Sequence, residues 1–125
     1  FVGRRSGFNI TTGQFNVGLW YNSIFNNRTG GFNVAIGYNA LLGVSGQSPQ
    51  FNTAIGYAAG QGITTAQFNH VVGYLAGSAL TTGSSNILLG FRTGDNLTTG
   101  SGNIIDPDGF TIINNASESV KLFLF

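Results

Sequence analysis

Apolar and polar residues repeat along this chain with a long and nearly constant period. The segment 32–38, Phe-Asn-Val-Ala-Ile-Gly-Tyr, returns at 51–57 and 68–74, and altered copies lie at 15–21 and 85–91. Aligned on their asparagine, the copies are spaced by 17, 19, 17, 17 and 17 residues, at Asn16, Asn33, Asn52, Asn69, Asn86 and Asn103. A period of this length is typical of repeat proteins, in which each unit stacks on its neighbours.

The second half of most repeats carries another short apolar run, Ile-Thr-Thr or Leu-Thr-Thr. Two short apolar runs separated by Gly and Asn predict strand, turn, strand and turn in every period. A helix is disfavoured because each period holds several glycines and shows no 3.6-residue pattern. Equivalent strands of stacked coils pair in parallel about 4.8 Å apart. The sequence therefore predicts an all-β fold, a parallel β-solenoid of 17-residue coils over residues 1–105.

The first run of each repeat is apolar on both of its faces. One aliphatic column consists of Leu19, Ile36, Ile55, Val72 and Leu89. A second column, two residues earlier, consists of Val17, Val34, Thr53, His70 and Ile87. The residues between the two columns point the other way, because neighbouring strand residues face opposite sides; they are Gly18, Ala35, Ala54, Val71 and Leu88. One face fits the interior of the coil, and the other predicts a contact with a second copy of the chain.

Other columns predict how successive coils are joined. A glycine column is expected to end each strand in a turn with positive φ, at Gly37, Gly56, Gly73 and Gly90. An aromatic column is expected to stack ring on ring, at Tyr21, Tyr38, Tyr57, Tyr74 and Phe91. The repeated asparagines predict a ladder of amide hydrogen bonds. The single 19-residue spacing predicts a bulging loop at 42–50, because an insertion in a solenoid maps to one turn.

The composition argues against several other classes of protein and of binding site. Apolar residues make up 42% of the chain at fixed positions, so there is a core to bury despite 20 glycines. A net charge of +1, from five basic and four acidic residues, predicts no nucleic-acid partner. The absence of Cys excludes disulfides and thiolate metal sites. No apolar run reaches the roughly 20 residues of a membrane span, so no membrane insertion is predicted in this segment.

The repeat ends after Asn103. Ile104 and Ile105 still fit a strand, but Asp106-Pro-Asp-Gly109 has turn chemistry. Residues 106–125 are predicted to form a short non-repeat β segment, either a cap or the start of a following domain. Asp106 and Asp108 could also hold Ca²⁺ with backbone carbonyls, although a turn is the favoured interpretation. Because residue 1 lies in mid-repeat, we expect a longer parent protein.

The units Asn-Thr-Ala-Ile-Gly-Tyr, at 52–57, and Leu-Thr-Thr-Gly resemble the head repeats of trimeric autotransporter adhesins. They resemble still more the longer variants in bacteriophage tail fibres and large bacterial or viral surface proteins. The resemblance covers about residues 1–105 and implies a left-handed parallel β-roll with three chains around one axis. It also implies that Ile36, Ile55, Val72 and Leu89 face that axis. Two features depart from the adhesin pattern: the 17-residue period is longer, and Trp20 stands at a glycine position.

No set of polar residues has the pattern of a catalytic site, so we predict no enzymatic activity, cofactor or metal. The predicted binding residues are those that break the repeat: Trp20, Arg28, Ser48 in the loop 43–50, and His70. For His70, a half-exposed structural role is the alternative, since its column otherwise holds Val, Thr and Ile. Paired threonines, such as those at 64–65, could present the hydroxyl column of an ice-binding solenoid. Each pair offers at most one outward Thr, however, and the series is broken at Arg28 and in the loop near Ser48.

These observations predict a structural, adhesive segment of an extracellular trimeric fibre that attaches to a surface. Two alternatives share the fold: a phage or virus tail-fibre segment that binds a receptor, and the subunit of a self-assembling extracellular filament. The expected partners are further copies of the chain and a glycan or protein receptor on a host cell or other surface. The expected location is extracellular, on a cell surface or a virion.

Overall fold

The computed structural model of the protein describes residues 1–106 and contains one sheet of six short parallel strands. The strands are β1 (Val17–Leu19), β2 (Val34–Ile36), β3 (Thr53–Ile55), β4 (His70–Val72), β5 (Ile87–Leu89) and β6 (Ile104–Ile105). They lie side by side in chain order, so every connection runs once around the coil and returns next to the strand it left. This confirms the all-β parallel solenoid. The predicted β segment at 106–125 lies, except for Asp106, outside the described residues.

The strand register follows the sequence repeat. Val17 pairs with Val34, and His70 with Ile87, each 17 residues apart, whereas Val34 pairs with Thr53, 19 residues apart. The two additional residues are confined to the loop after Gly43, because Arg28 N–H donates to the carbonyl of Gln47 and the regular pairing resumes there. The predicted loop is therefore confirmed, and it leaves the sheet undisturbed.

The prediction of a second strand in each coil is wrong, because the Thr-Thr runs form bends in the structure. The first Thr of a pair donates its hydroxyl to the backbone carbonyl one coil on: Thr64 to Thr81, and Thr81 to Thr98, at 3.2 and 3.1 Å. Such side-chain bonds to backbone groups compete with a regular strand ladder. Each coil therefore has a single strand, and the rest of the coil is held by isolated hydrogen bonds between equivalent residues.

The core is the interior of the coil, lined by the middle residue of each strand. Ala35, Ala54, Val71 and Leu88 are fully buried in one cluster with Ile24, Leu41, Ile63 and Leu80. The residues on either side of them in each strand point outward. The structure thus decides which face is interior, a choice that the alternation of apolar residues left open.

Side-chain volumes compensate across this core. The middle strand residue grows along the solenoid, through Gly18, Ala35, Ala54, Val71 and Leu88. The position six residues later shrinks, through Ile24, Leu41, Gly60, Gly77 and Gly94. A Cβ at Gly77 would lie 2.9 Å from Leu88 Cδ1, and one at Gly94 would lie 3.0 Å from the same atom. The total volume therefore stays suited to a close-packed interior although neither column is uniform.

A buried asparagine ladder joins the coils immediately before the strands. The Oδ1 of Asn52 accepts hydrogen bonds from the backbone N–H and the side-chain N–H of Asn69, both at 3.0 Å. The Oδ1 of Asn69 accepts the same two bonds from Asn86. The Nδ2 of Asn69 also donates to the carbonyls of Gln67 and Gly83. Asn33, Asn69 and Asn86 are fully buried, so water cannot replace these bonds. The predicted amide ladder is confirmed.

Replacing Asn69 with Ala should destabilise the fold by about 3 kcal/mol, because the buried Asn86 backbone N–H and several amide partners lose their hydrogen bonds. Chemical denaturation followed by circular dichroism measures the change. Asn96→Ala is the matched control, since Asn96 is exposed and should change stability by less than about 0.5 kcal/mol. Equal stabilities of the two variants would contradict a structural role for the ladder.

The glycine after each strand allows the coils to approach closely. Gly56 has φ of +130°, and a Cβ on it would lie 2.5 Å from the carbonyl oxygen of Gly73 in the next coil. Gly37 and Gly73 have the same conformation and the same close neighbour one coil on. Both the backbone angle and the contact therefore favour glycine, as predicted for this column.

We predict that Gly56→Ala lowers the free energy of unfolding by about 3 kcal/mol, from the positive φ together with the collision against Gly73. Gly46→Ala is the control that measures the cost of the positive φ without the collision. Gly46 has φ of +85° but no atom within 4 Å of its added Cβ, so only about 1 kcal/mol should be lost. Thermal denaturation of both variants tests this, and a loss at Gly56 no greater than that at Gly46 would contradict the close approach.

Candidate functional site

The outward side of the sheet forms a broad apolar surface. We call it the strand face: the first and last residues of β1–β5, Ile104 of β6, and the aromatic columns on either side of them. Residues with large exposed fractions include Val17, Ile87, Leu89 and Ile104, all of them strand residues. Between residues 15 and 105, these columns contain no Asp, Glu, Lys or Arg. A continuous exposed apolar surface of this kind is typical of an interaction site.

Two aromatic ladders border the strand face. In the first, the ring centroids are 4.9–5.0 Å apart, through Phe15, Phe32, Phe51 and Phe68. In the second they are 5.2–5.3 Å apart, through Tyr21, Tyr38, Tyr57, Tyr74 and Phe91. The stacking predicted for the tyrosine column is confirmed. Because the ring faces cover one another, a ladder offers mainly ring edges to a partner.

Trp20 lies at the end of β1, in the glycine column, with 68% of its surface exposed. Its φ of +93° is about 30–45° lower than that of the column's glycines, which range from +122° to +137°. A side chain therefore fits at this position only with a displaced backbone, which costs about 1–3 kcal/mol. Beside it lies an apolar groove of about 390 Å³, lined by Leu19, Trp20, Ile36, Gly37, Tyr38 and Tyr57.

His70 begins β4 and is exposed on the strand face between Thr53 and Ile87 in the neighbouring strands. Its imidazole has no hydrogen-bond partner among the described residues. Trp20 and His70 therefore share one surface, but their strands are separated by β2 and β3. The structure does not bring them into one site.

Arg28 lies on the other side of the coil. Ile10 points into the core, so its neighbours Asn9 and Thr11 point outward, away from the strands. There a polar groove of about 300 Å³ is lined by Phe8, Asn9, Ile10, Thr11, Arg28 and Ser45. We call it the Arg28 groove. The Arg28 side chain forms no ion pair within the part of the chain that the structure describes, where Arg92 and Asp95 are the pair present, at 2.8 Å.

Local structure explains how the groove is shaped. The loop turns at Val44–Gln47, closed by a 3.1 Å hydrogen bond from Gln47 N–H to the carbonyl of Val44. Gly46 supplies the positive φ that such a turn requires at its third position. This turn places Ser45 at the groove. On the opposite wall, Phe8 stacks on Phe25 with centroids 5.6 Å apart.

Ser48 lies in the coil after Arg28 and bonds the neighbouring residue Thr29, but it is not one of the residues that line the groove. Its hydroxyl bonds that of Thr29, and the two belong to a continuous outward hydroxyl column. The members of this column are Thr12, Thr29, Ser48, Thr65, Thr82 and Thr99. Arg28 occupies the neighbouring column of first threonines and interrupts that column.

The four predicted binding residues thus divide between two sides of the coil. Trp20 and His70 lie on the strand face, whereas Arg28 lies in the groove, near Ser48. The sequence interpretation missed Phe8 and Asn9. A signal was present, since Phe8, Phe25 and Leu42 stand where the later coils have Gln61, Ser78 and Asp95.

Metal-ligand clusters and membrane helices are both absent from residues 1–106. No three His, Cys, Asp or Glu side chains there come together as a metal site. That range also contains no helix long and apolar enough to cross a bilayer.

No family model, curated protein or solved structure matches the chain. The likeness to adhesin heads and tail fibres therefore remains a prediction from the repeat motifs. The structure establishes the solenoid itself, with its strand face and its Arg28 groove.

Trp20→Gly should stabilise the protein by about 1 kcal/mol, because glycine adopts the positive φ of this column without strain. Trp20→Ala is the control that removes the indole but keeps a Cβ, and it should give no such gain. Unfolding is followed by circular dichroism, because both variants lack the protein's one tryptophan and cannot be followed by its fluorescence. A less stable Trp20→Gly variant would show that the indole itself stabilises the fold.

Proposed function

We propose that the protein is a structural and adhesive segment of an extracellular fibre, in which three copies pack together through the strand face. The supporting observation is the exposure of the apolar columns on the outer side of β1–β6. The proposed role is mechanical, to hold a stiff rod that carries binding surfaces to a cell or another surface. It requires no catalytic group, cofactor or metal.

Burial of apolar surface favours association of the strand faces. For every Å² of apolar surface that is removed from water, at Leu89 for example, the free energy of association becomes more favourable by about 25 cal/mol. Between residues 15 and 105 the face contains no Asp, Glu, Lys or Arg, so these side chains cause no like-charge repulsion between identical copies. The regular spacing of the coils lets equivalent rows of two copies interdigitate along their length.

The number of copies and the left-handed coil come from the resemblance to adhesin heads. In that arrangement the column of Ile36, Ile55, Val72 and Leu89 lies at the three-fold axis. Trp20 would then sit beside the axis-facing residues and His70 among them. Both would belong to the assembly surface, which leaves the other side of the coil free for a receptor.

A receptor-binding segment of a phage or virus tail fibre is a second form of the same proposal, with the same fold and assembly. An end-to-end filament is a third form, in which the parallel pairing of β1–β6 would continue from one copy to the next. Electron microscopy at increasing protein concentration distinguishes filaments, which lengthen, from trimeric rods of fixed length.

The assembly is tested by the molar mass in solution. We expect the wild-type protein to have three times the 13.1 kDa mass of the chain in light scattering. Leu89→Asp should yield monomers, because a carboxylate at the contact would lose its hydration without gaining a partner. Since Leu89 is exposed in the single chain, the variant should keep its fold.

Thr82→Asp is the matched control for this experiment, as Thr82 is exposed in the outward hydroxyl column. It should assemble like the wild type. A wild-type protein that stays monomeric at all concentrations would contradict the proposal. Dissociation of both variants would show that added charge acts without regard to the strand face.

A further inference from the structure

The features that break the repeat on the side away from the strands converge on the Arg28 groove. Arg28 replaces the usual first Thr, and Phe8 begins a column that is apolar in the first three coils and polar only from Gln61 onward. Ser45 comes from the two-residue insertion, the single departure from the 17-residue period. Two separate departures from the repeat, Arg28 and the insertion that supplies Ser45, thus meet at one place beside Phe8.

Arg28 gives the groove its charge. Its guanidinium is exposed and has no carboxylate partner within residues 1–106, whereas its backbone is fixed by neighbouring coils. Thr11 N–H donates to the Arg28 carbonyl at 2.8 Å, and Arg28 N–H donates to Gln47 at 3.3 Å. A planar guanidinium on a fixed backbone is suited to bind a carboxylate through two parallel hydrogen bonds.

The remaining lining residues suit a sugar ring. Phe25 covers one face of the Phe8 ring, but Phe8 is 66% exposed, so its edge and its other face offer an apolar surface to the C–H groups of a pyranose. Asn9 is fixed by a 3.1 Å bond from its Nδ2 to Asn26, which leaves its Oδ1 to accept from a ligand. The Ser45 hydroxyl can both donate and accept. One positive charge, one aromatic surface and several polar groups match a sugar that carries a single carboxylate.

We propose that the Arg28 groove binds a carboxylated monosaccharide unit, such as a sialic or uronic acid at the end of a surface glycan. Arg28 holds the carboxylate, Phe8 contacts the ring, and Asn9 and Ser45 bind ring hydroxyls. This inference gives a ligand class to the adhesive role in the proposed function and rests on it. The groove lies across the core from the strand face, so three-fold packing leaves it open.

The test is a ligand titration followed by NMR, with chemical shifts of the Arg28 Nε–H and the Asn9 amide. 3′-Sialyllactose and a hyaluronan hexasaccharide are the two carboxylated probes. Lactose is the neutral control, since it lacks only the sialic acid of the first probe. We expect saturable shifts with at least one carboxylated probe and none with lactose. Equal binding of lactose, or no binding of either acid at millimolar concentration, would overturn the proposal.

Variants taken from the repeat itself provide the controls. Arg28→Thr restores the residue common in its column, so the coil should fold, and we expect at least a tenfold loss of affinity. Arg28→Lys should lose less, because it keeps the charge without the paired hydrogen bonds. Phe8→Ser, which introduces the residue found at Ser78, should also weaken binding. Arg4→Gln removes an equal charge outside the groove and should bind like the wild type.

Unchanged affinity in Arg28→Thr would overturn the assignment of the site. An equal loss in Arg4→Gln would show that net charge, not the groove, governs binding. The outcome is independent of assembly, because molar mass is measured separately. If the protein is a trimer that binds neither acid, only the proposal of a sugar-binding groove is wrong. If it is a monomer that binds one of the acids, only the proposal of a trimeric fibre is wrong.

Discussion

Each coil of this solenoid is held on the next by a buried asparagine amide. One Oδ1 accepts two N–H groups of the following coil, as Asn69 does for Asn86, and no water can substitute inside the coil. A coil of different length would break this ladder unless the additional residues bulged elsewhere. The constant period, the glycine column and the stacked rings are all consequences of that registration, since each must repeat wherever the asparagine does.

The same registration determines the surfaces. Equivalent residues of successive coils are forced into columns, so a small apolar preference in one repeat becomes an apolar face many residues long. A chain with very few charges therefore has one apolar side, the strand face, and another side that holds the Arg28 groove. Under the functions proposed here, the regular side builds the fibre and the irregular side contacts its ligand, because only departures from the repeat create a unique local chemistry.

Trp20 and Arg28 show why departures from the repeat are ambiguous when read from sequence. Both replace a residue common to their column, and both were predicted binding residues. Trp20 carries a strained backbone beside the apolar strand face, where packing of copies would cover it. Arg28 faces a polar groove with Ser45. Whether a residue belongs to assembly or to recognition depends on the side of the coil, and the side depends on how the chain turns within one period.

The sequence by itself determined the coil length, the parallel pairing, the asparagine ladder and the stack of the tyrosine column. Each of these is a relation between a residue and its equivalent one period later, so periodicity alone reveals it. Only the tertiary structure decided that each coil has one strand, because threonine hydroxyls bond the backbone where a second strand was expected. It also decided the match of Leu88 with Gly94 across the core, and the meeting of Phe8, Arg28 and Ser45. These are contacts between different positions of the repeat, which periodicity does not relate to one another.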